Sequence, residues 1–177
     1  GALYPEGRVA ALSALSGLGA LSHESLLPTL ADRHPRVREA AVRFAEAVLD
    51  ASPEVREAVL QAAGDDELRV RYQVALSLGQ TSDPRRLAAL ATIAKRDVAE
   101  PWLRLAIQSS LTEDVGAVLA LLAADDGFRA RPEGLEMANL LAAQIGRQRR
   151  KEDLAEVLAM LASLPSDDSA QAVLRTV

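Results

Sequence analysis

Cysteine is absent from the 177 residues. That removes disulfides, thiolate metal sites, a cysteine nucleophile and covalent c-type haem attachment through C-x-x-C-H, while leaving the compartment open. Aromatic residues are only 3% of a chain that is 49% hydrophobic. The core must therefore be built from Leu, Ala and Val, a composition suited to closely packed helices. Histidine occurs twice, as His23 and His34. A catalytic zinc site needs three protein ligands, so Asp32-Arg33-His34 reads as a solvated turn and no metal or other cofactor is expected. There is no uncharged apolar run of 18 residues, and hence no transmembrane span in the sequence. No basic-then-apolar leader opens the chain; Gly1-Ala2-Leu3-Tyr4-Pro5 reads as a cut point that leaves any leader outside it. Twenty basic residues against twenty-five acidic give a net charge of −5. A nucleic-acid partner needs a basic footprint and is not expected. Gly17-Leu18-Gly19 reaches Ser22 where a dinucleotide loop needs glycine, and no serine sits in G-x-S-x-G.

What the chain does have is a period. Val37-Arg38, Val70-Arg71 and Leu103-Arg104 follow one another at intervals of 33 residues, and Asp32 stands 33 before Asp65. A fixed spacing of this size, with residue types in the same order, marks stacked repeats. Apolar positions recur at helical spacing on either side of each turn, and no segment alternates long enough for a strand. Ser52-Pro53-Glu54 and Asp83-Pro84 pair an N-cap with proline at the first helical position. The expectation is an all-α, α-α superhelix of five to six helical hairpins forming one domain over residues 1–177. The hairpins are placed near 6–31, 33–64, 65–97, 98–126 and 132–164, with a terminal helix at 167–177. Residues 125–132 read as a long polar connection, and Gly146 as the stop of a helix over 133–145.

A hairpin of two short helices buries one apolar face itself and the other against its neighbour, which is why such repeats stack. Arg38, Arg71 and Arg104 then fall at one point of successive hairpins. Asp32 and Asp65, six residues earlier, are placed to cap amides and to accept from an arginine of an adjoining repeat. In the fourth repeat Val98 takes the Asp position, with Asp97 beside it. The acidic pairs Asp65-Asp66, Glu113-Asp114, Asp125-Asp126 and Asp167-Asp168 all sit at helix boundaries and read as caps. If second helices line the concave side, a partner surface there would carry Glu54, Glu57, Gln61, Arg85, Arg86 and Lys95. The basic run Arg147-Gln148-Arg149-Arg150-Lys151 adds Arg147, Arg149, Arg150 and Lys151, either as a solvated loop or as a contact for an anionic partner. Trp102 is expected to pack between the third and fourth hairpins.

The pattern from Asp32 to Ala41 and from Asp65 to Val74, Asp-x-x-x-x-Val-Arg-x-x-x-Ala/Val, resembles HEAT repeats of the short, PBS-lyase-like kind. His34-Pro35-Arg36-Val37-Arg38-Glu39, Pro101-Trp102-Leu103-Arg104 through Ser109-Ser110-Leu111, and Leu140 to Gly146 are similar to the HEAT segment of large planctomycete-type envelope proteins. In that family the segment joins a sugar-dehydrogenase-like propeller to a C-terminal c-type haem domain. The resemblance implies a non-catalytic scaffold or spacer in the bacterial cell envelope or periplasm, whose partners are proteins or flanking domains of the same polypeptide. The alternative is a HEAT-like enzyme, a DNA glycosylase or bilin lyase. A glycosylase would need a basic, aromatic-bearing concave face, and no recognisable bilin lyase set is present.

Overall fold

The computed structural model describes residues 4–163. Among them there are eleven α-helices and no strand, so the fold is all-α, built of helical hairpins. The expected terminal helix at 167–177 and the pair Asp167-Asp168 lie outside the described residues. The chain packs as two compact units, Gly1–Ala89 and Leu90–Val177.

The first unit contains α1 (Pro5–Gly17), α2 (His23–Leu30), α3 (Pro35–Ala45), α4 (Pro53–Gln61) and α5 (Leu68–Ser77), together with the start of α6 (Arg85–Asp97). Proline takes the first turn of α1, α3 and α4, where its missing N–H costs nothing. Ser52 Oγ accepts the Val55 amide, as its cap role requires. His34 is the cap of α3, its Nδ1 accepting the Arg36 amide. α3, α4 and α5 each end in a 3₁₀ turn, the tighter winding that takes up terminal carbonyls. First helices stack on first helices, α1 on α3 and α3 on α5, while α2 packs on α3 and α4. Leu26, Val37, Ala41, Val42, Leu49, Val55, Val59, Val70, Val74 and Leu78 are essentially inaccessible to water. Each fully buried Val or Leu contributes roughly 1.5–3 kcal/mol. Phe44 and Val48 are only half-buried; Val42 and Leu49 take the core positions on this helix end.

The second unit contains the rest of α6, then α7 (Pro101–Ser110), α8 (Val115–Ala123), α9 (Asp126–Arg129), α10 (Pro132–Gln148) and α11 (Lys151–Ser163). Two sequence expectations need correction here. The polar connection after α8 contains the short helix α9, capped by Asp125 and anchored by the buried ring of Phe128. Gly146 does not end its helix: α10 runs on to Gln148 and closes at Arg149, which takes the left-handed conformation at φ 53°. The Arg149 amide still reaches Ile145 O at 2.8 Å, so the helix closes with that carbonyl satisfied, three residues past the glycine.

Trp102 also departs from expectation. The buried face of α7 is made by Leu103, Ala106, Ile107 and Ser110. Trp102 shares the other face with Leu105 and Ser109 and is 71% exposed.

Candidate functional site

The arginines that define the period share one geometry. Arg38 Nη1 donates to Asp32 O at 2.8 Å, Arg71 Nη1 to Asp65 O at 2.6 Å and Arg104 Nη1 to Val98 O at 2.7 Å. Arg129 does the same to Ala123 O. The acceptor is always the main-chain carbonyl six residues back. Val98 therefore breaks nothing in this contact, because the bond does not use the side chain at that position.

In Arg38 and Arg104 the remaining guanidinium donors reach another hairpin. Arg38 makes a bidentate pair with Asp65, Nε to Oδ2 at 2.7 Å and Nη2 to Oδ1 at 2.8 Å. Asp65 also accepts the Glu67 amide at 2.9 Å. Arg8 also pairs with Asp32, its Nη2 donating to Oδ1 at 2.8 Å while Nε lies 2.7 Å from Oδ2 without hydrogen-bond alignment, and Asp32 accepts the His34 amide at 2.8 Å. Burial raises the pKa of both aspartates, but the arginine and amide hydrogen bonds outweigh it and hold each below the ordinary carboxylate value. Arg71 is buried, and Arg104 reaches Glu136 at 3.2 Å.

A second row was not anticipated. Arg56 Nε lies 2.9 Å from Asp83 Oδ2, close enough for an ion pair though not aligned as a hydrogen bond. Arg85 then binds Asp83 at 2.8 Å and Glu57 at 2.7 Å, and Gln61 donates to Glu57 at 3.1 Å. The Arg85 side chain and amide pull Asp83 down to about 2. Arg56 and Asp83 are 27 residues apart in sequence, as are Arg38 and Asp65. That interval is the signal that would have found them; Arg8 precedes Asp32 by 24 residues and escapes it.

The surface residues named from the sequence fall into three groups. Glu57, Gln61 and Arg85 are brought together in the network just described. Glu54 is exposed and accepts from Ser52 Oγ at 3.1 Å, and Lys95 pairs with Asp125 at 3.3 Å. Arg86 is not a surface residue: it is 5% exposed, because the inward face of α6 begins with its side chain before Leu90, Ala91 and Ala94. Of the basic run, Arg150 reaches Glu113 at 3.2 Å, whereas Arg147, Arg149 and Lys151 are exposed and make no ion pair with any described residue.

α7 and α10 are joined side by side by long polar side chains. Arg104 meets Glu136, Gln144 Nε2 donates to Leu111 O at 2.6 Å, and Gln148 Nε2 donates to Thr112 O at 3.3 Å. Gln144 is buried, with no donor to its Oε1 among the described residues. Above these bridges runs an open groove of about 540 Å³ lined by Leu105, Gln108, Ser109, Gln144, Arg147 and Gln148.

α8 is capped from a distance. Asp114 at its start has φ 60° and gives no side-chain cap. Asp153 Oδ1 on α11, 37 residues on, accepts the Gly116 amide at 2.8 Å instead. Among the described residues no three His, Asp or Glu side chains gather as a metal site, and no helix is long and apolar enough to cross a membrane.

No curated protein and no solved structure matches the chain. The family of HEAT repeats matches residues 23–112, just over half of it, and covers the Arg38–Asp65 and Arg56–Asp83 rungs. With the period, the hairpins and the match in agreement, the chain belongs to the HEAT repeat family.

Proposed function

We propose that the chain is a non-catalytic interaction module that acts as a spacer between domains of a larger protein, in line with its resemblance to the HEAT segment of envelope redox proteins. The observation that carries this reading is where the carboxylates are spent. Asp32, Asp65 and Asp83 are each engaged by arginine and by a backbone amide, and are held ionised. A general acid needs a raised pKa and access to substrate; these groups have neither. HEAT repeats usually serve as protein-interaction scaffolds, and the apolar side chains left in water fit that use: Tyr4 at 74%, Leu18 at 80% and Leu158 at 66% exposure. In the spacer reading, flanking domains cover such side chains.

The test compares residues 1–177 with a longer polypeptide that includes the natural flanking sequence. Covering these side chains should raise the melting temperature by about 4 °C, the shift that roughly 1–2 kcal/mol produces in a chain of this size. An unchanged melting temperature, with the shorter chain monomeric, removes the spacer reading.

A further inference from the structure

We infer that the groove between α7 and α10 binds an extended acidic peptide segment of a partner protein, entering with apolar residues first and carboxylates after them. The inference rests on the interaction-module reading and names the class of partner.

The bridging bonds fix how the groove is laid out. Residues 104, 111 and 112 on the α7 side meet 136, 144 and 148 on α10, so the two helices run in the same direction. Character changes along that direction. At the early end stand Trp102, Leu105 and Leu140, exposed at 71%, 51% and 40%. In a chain with a single tryptophan and 3% aromatics, an unburied Trp one turn from unburied Leu105, with unburied Leu140 on the facing helix, is an apolar contact surface, and Trp is among the side chains most often central to binding.

Further along comes Gln108, with Gln148 at the late end beside Arg147. The Gln108 amide makes no hydrogen bond with a described residue, and Gln148 uses one donor on Thr112 O. A primary amide both donates and accepts, which matches the alternating N–H and C=O of an extended main chain. At the late end stand Arg147, Arg149 and Lys151, all exposed and without an ion pair to any described residue. Three cations with no carboxylate partner among the described residues, in a chain of net charge −5, favour an anionic group from outside.

The spacing sets the peptide. Leu140 and Arg147 are seven residues apart on α10, or about 10 Å along the axis. An extended chain covers that in about three residues. The matching segment is therefore a pair of apolar residues followed, about three positions later, by a cluster of carboxylates. An anionic membrane fits less well, because Glu133 and Glu136 on the first turns of α10 flank the apolar end and would repel it. Nucleic acid fails for the same reason, since its charge is continuous and the groove's is not.

Trp102 makes the test direct, because it is the sole tryptophan and lies on the groove side of α7. The protein is titrated with acetyl-Leu-Leu-Ser-Gly-Asp-Glu-Asp-amide while its emission is followed at low and at physiological salt. A saturable blue shift is expected; the same peptide with lysine in place of each acid should give none. Arg147→Glu should weaken binding at least ten-fold, and Arg33→Glu, at an exposed arginine in the other unit, less than two-fold. Both positions are exposed, and matching melting temperatures verify that the variants fold. No saturable shift, an equal shift with the lysine peptide, or equal weakening by both variants overturns the proposal. So does a shift with vesicles of phosphatidylcholine and phosphatidylglycerol but none with the peptide, which would assign the face to a lipid surface. A null titration beside a stabilising longer polypeptide removes the groove and keeps the spacer; the reverse pair of results keeps an interaction module that is not a spacer.

Discussion

Arg38 uses its guanidinium three ways at once: Nη1 on the Asp32 carbonyl, Nε and Nη2 on the two oxygens of Asp65. The pair is largely shielded, at 17% and 10% side-chain exposure. Arg69 and Glu39 make a bond of similar length, 2.8 Å, but at 45% and 33% exposure. The difference in setting decides the difference in worth. Charge-assisted bonds out of water contribute about 1.5–3 kcal/mol, and loss of the arginine strands Asp65 half-desolvated. Exposed pairs contribute about 0–1 kcal/mol. Arg38→Ala should therefore lower unfolding free energy by roughly 2–3 kcal/mol and Arg69→Ala by less than ~1 kcal/mol, measured by denaturant titration. A double-mutant cycle of Arg38 and Asp65 should show coupling of about 0.5–3 kcal/mol. Equal midpoints for the two single variants would mean that the inter-hairpin pair is ornamental.

At the scale of the helix, glycine does two different jobs. Gly116 lies where α8 meets α11; a Cβ there would stand 2.6 Å from Asp153 O and 2.9 Å from its Cα. Main chain cannot rotate away, so Gly116→Ala must push α11 off α8 and loosen the Asp153–Gly116 cap; overpacking of this kind costs about 1–3 kcal/mol. A Cβ added at Gly64 would meet nothing within 4 Å, and its φ is not positive. Gly64→Ala should be neutral or stabilising by about 0.4–1 kcal/mol through the unfolded chain. Thermal melts that rank the two alike would refute the close-approach account. Neither role was legible from the sequence. Periodicity placed the hairpins, because it depends only on which residues are apolar and how far apart they stand. It could not see Gly116, whose constraint comes from a residue 37 positions away, nor the exposure of Trp102, which depends on what packs beside α7. Arg38–Asp65 was open to inference because a six-residue offset inside a 33-residue period leaves 27 between partners. Arg86 was misjudged for the opposite reason: two adjacent arginines on α6 look alike in sequence, and only packing puts one in water and the other inside.

For the molecule as a whole, these pairs turn stability into a function of acidity. Asp32, Asp65 and Asp83 all have folded pKa values below the ordinary carboxylate, Asp83 at about 2. An unfolded aspartate titrates near ~3.9, so between that value and the folded one the unfolded chain binds more protons than the native chain. Stability must then rise with pH through this window. The contribution is complete above the unfolded pKa and disappears as pH falls through the folded one. The melting temperature should be nearly flat above about pH 5 and fall between roughly pH 4 and pH 2. Asp83→Asn separates the charge from the shape, since the amide is nearly isosteric with the carboxylate but cannot be ionised. At pH 7 the variant should melt below the parent, because Arg56 and Arg85 lose their shared anion. Toward pH 2 the parent's own Asp83 takes up its proton and the gap should narrow. Melting curves of the two proteins across pH 2–7 decide the matter: a gap as wide at pH 2 as at pH 7 would locate the effect in packing and not in the ionised carboxylate.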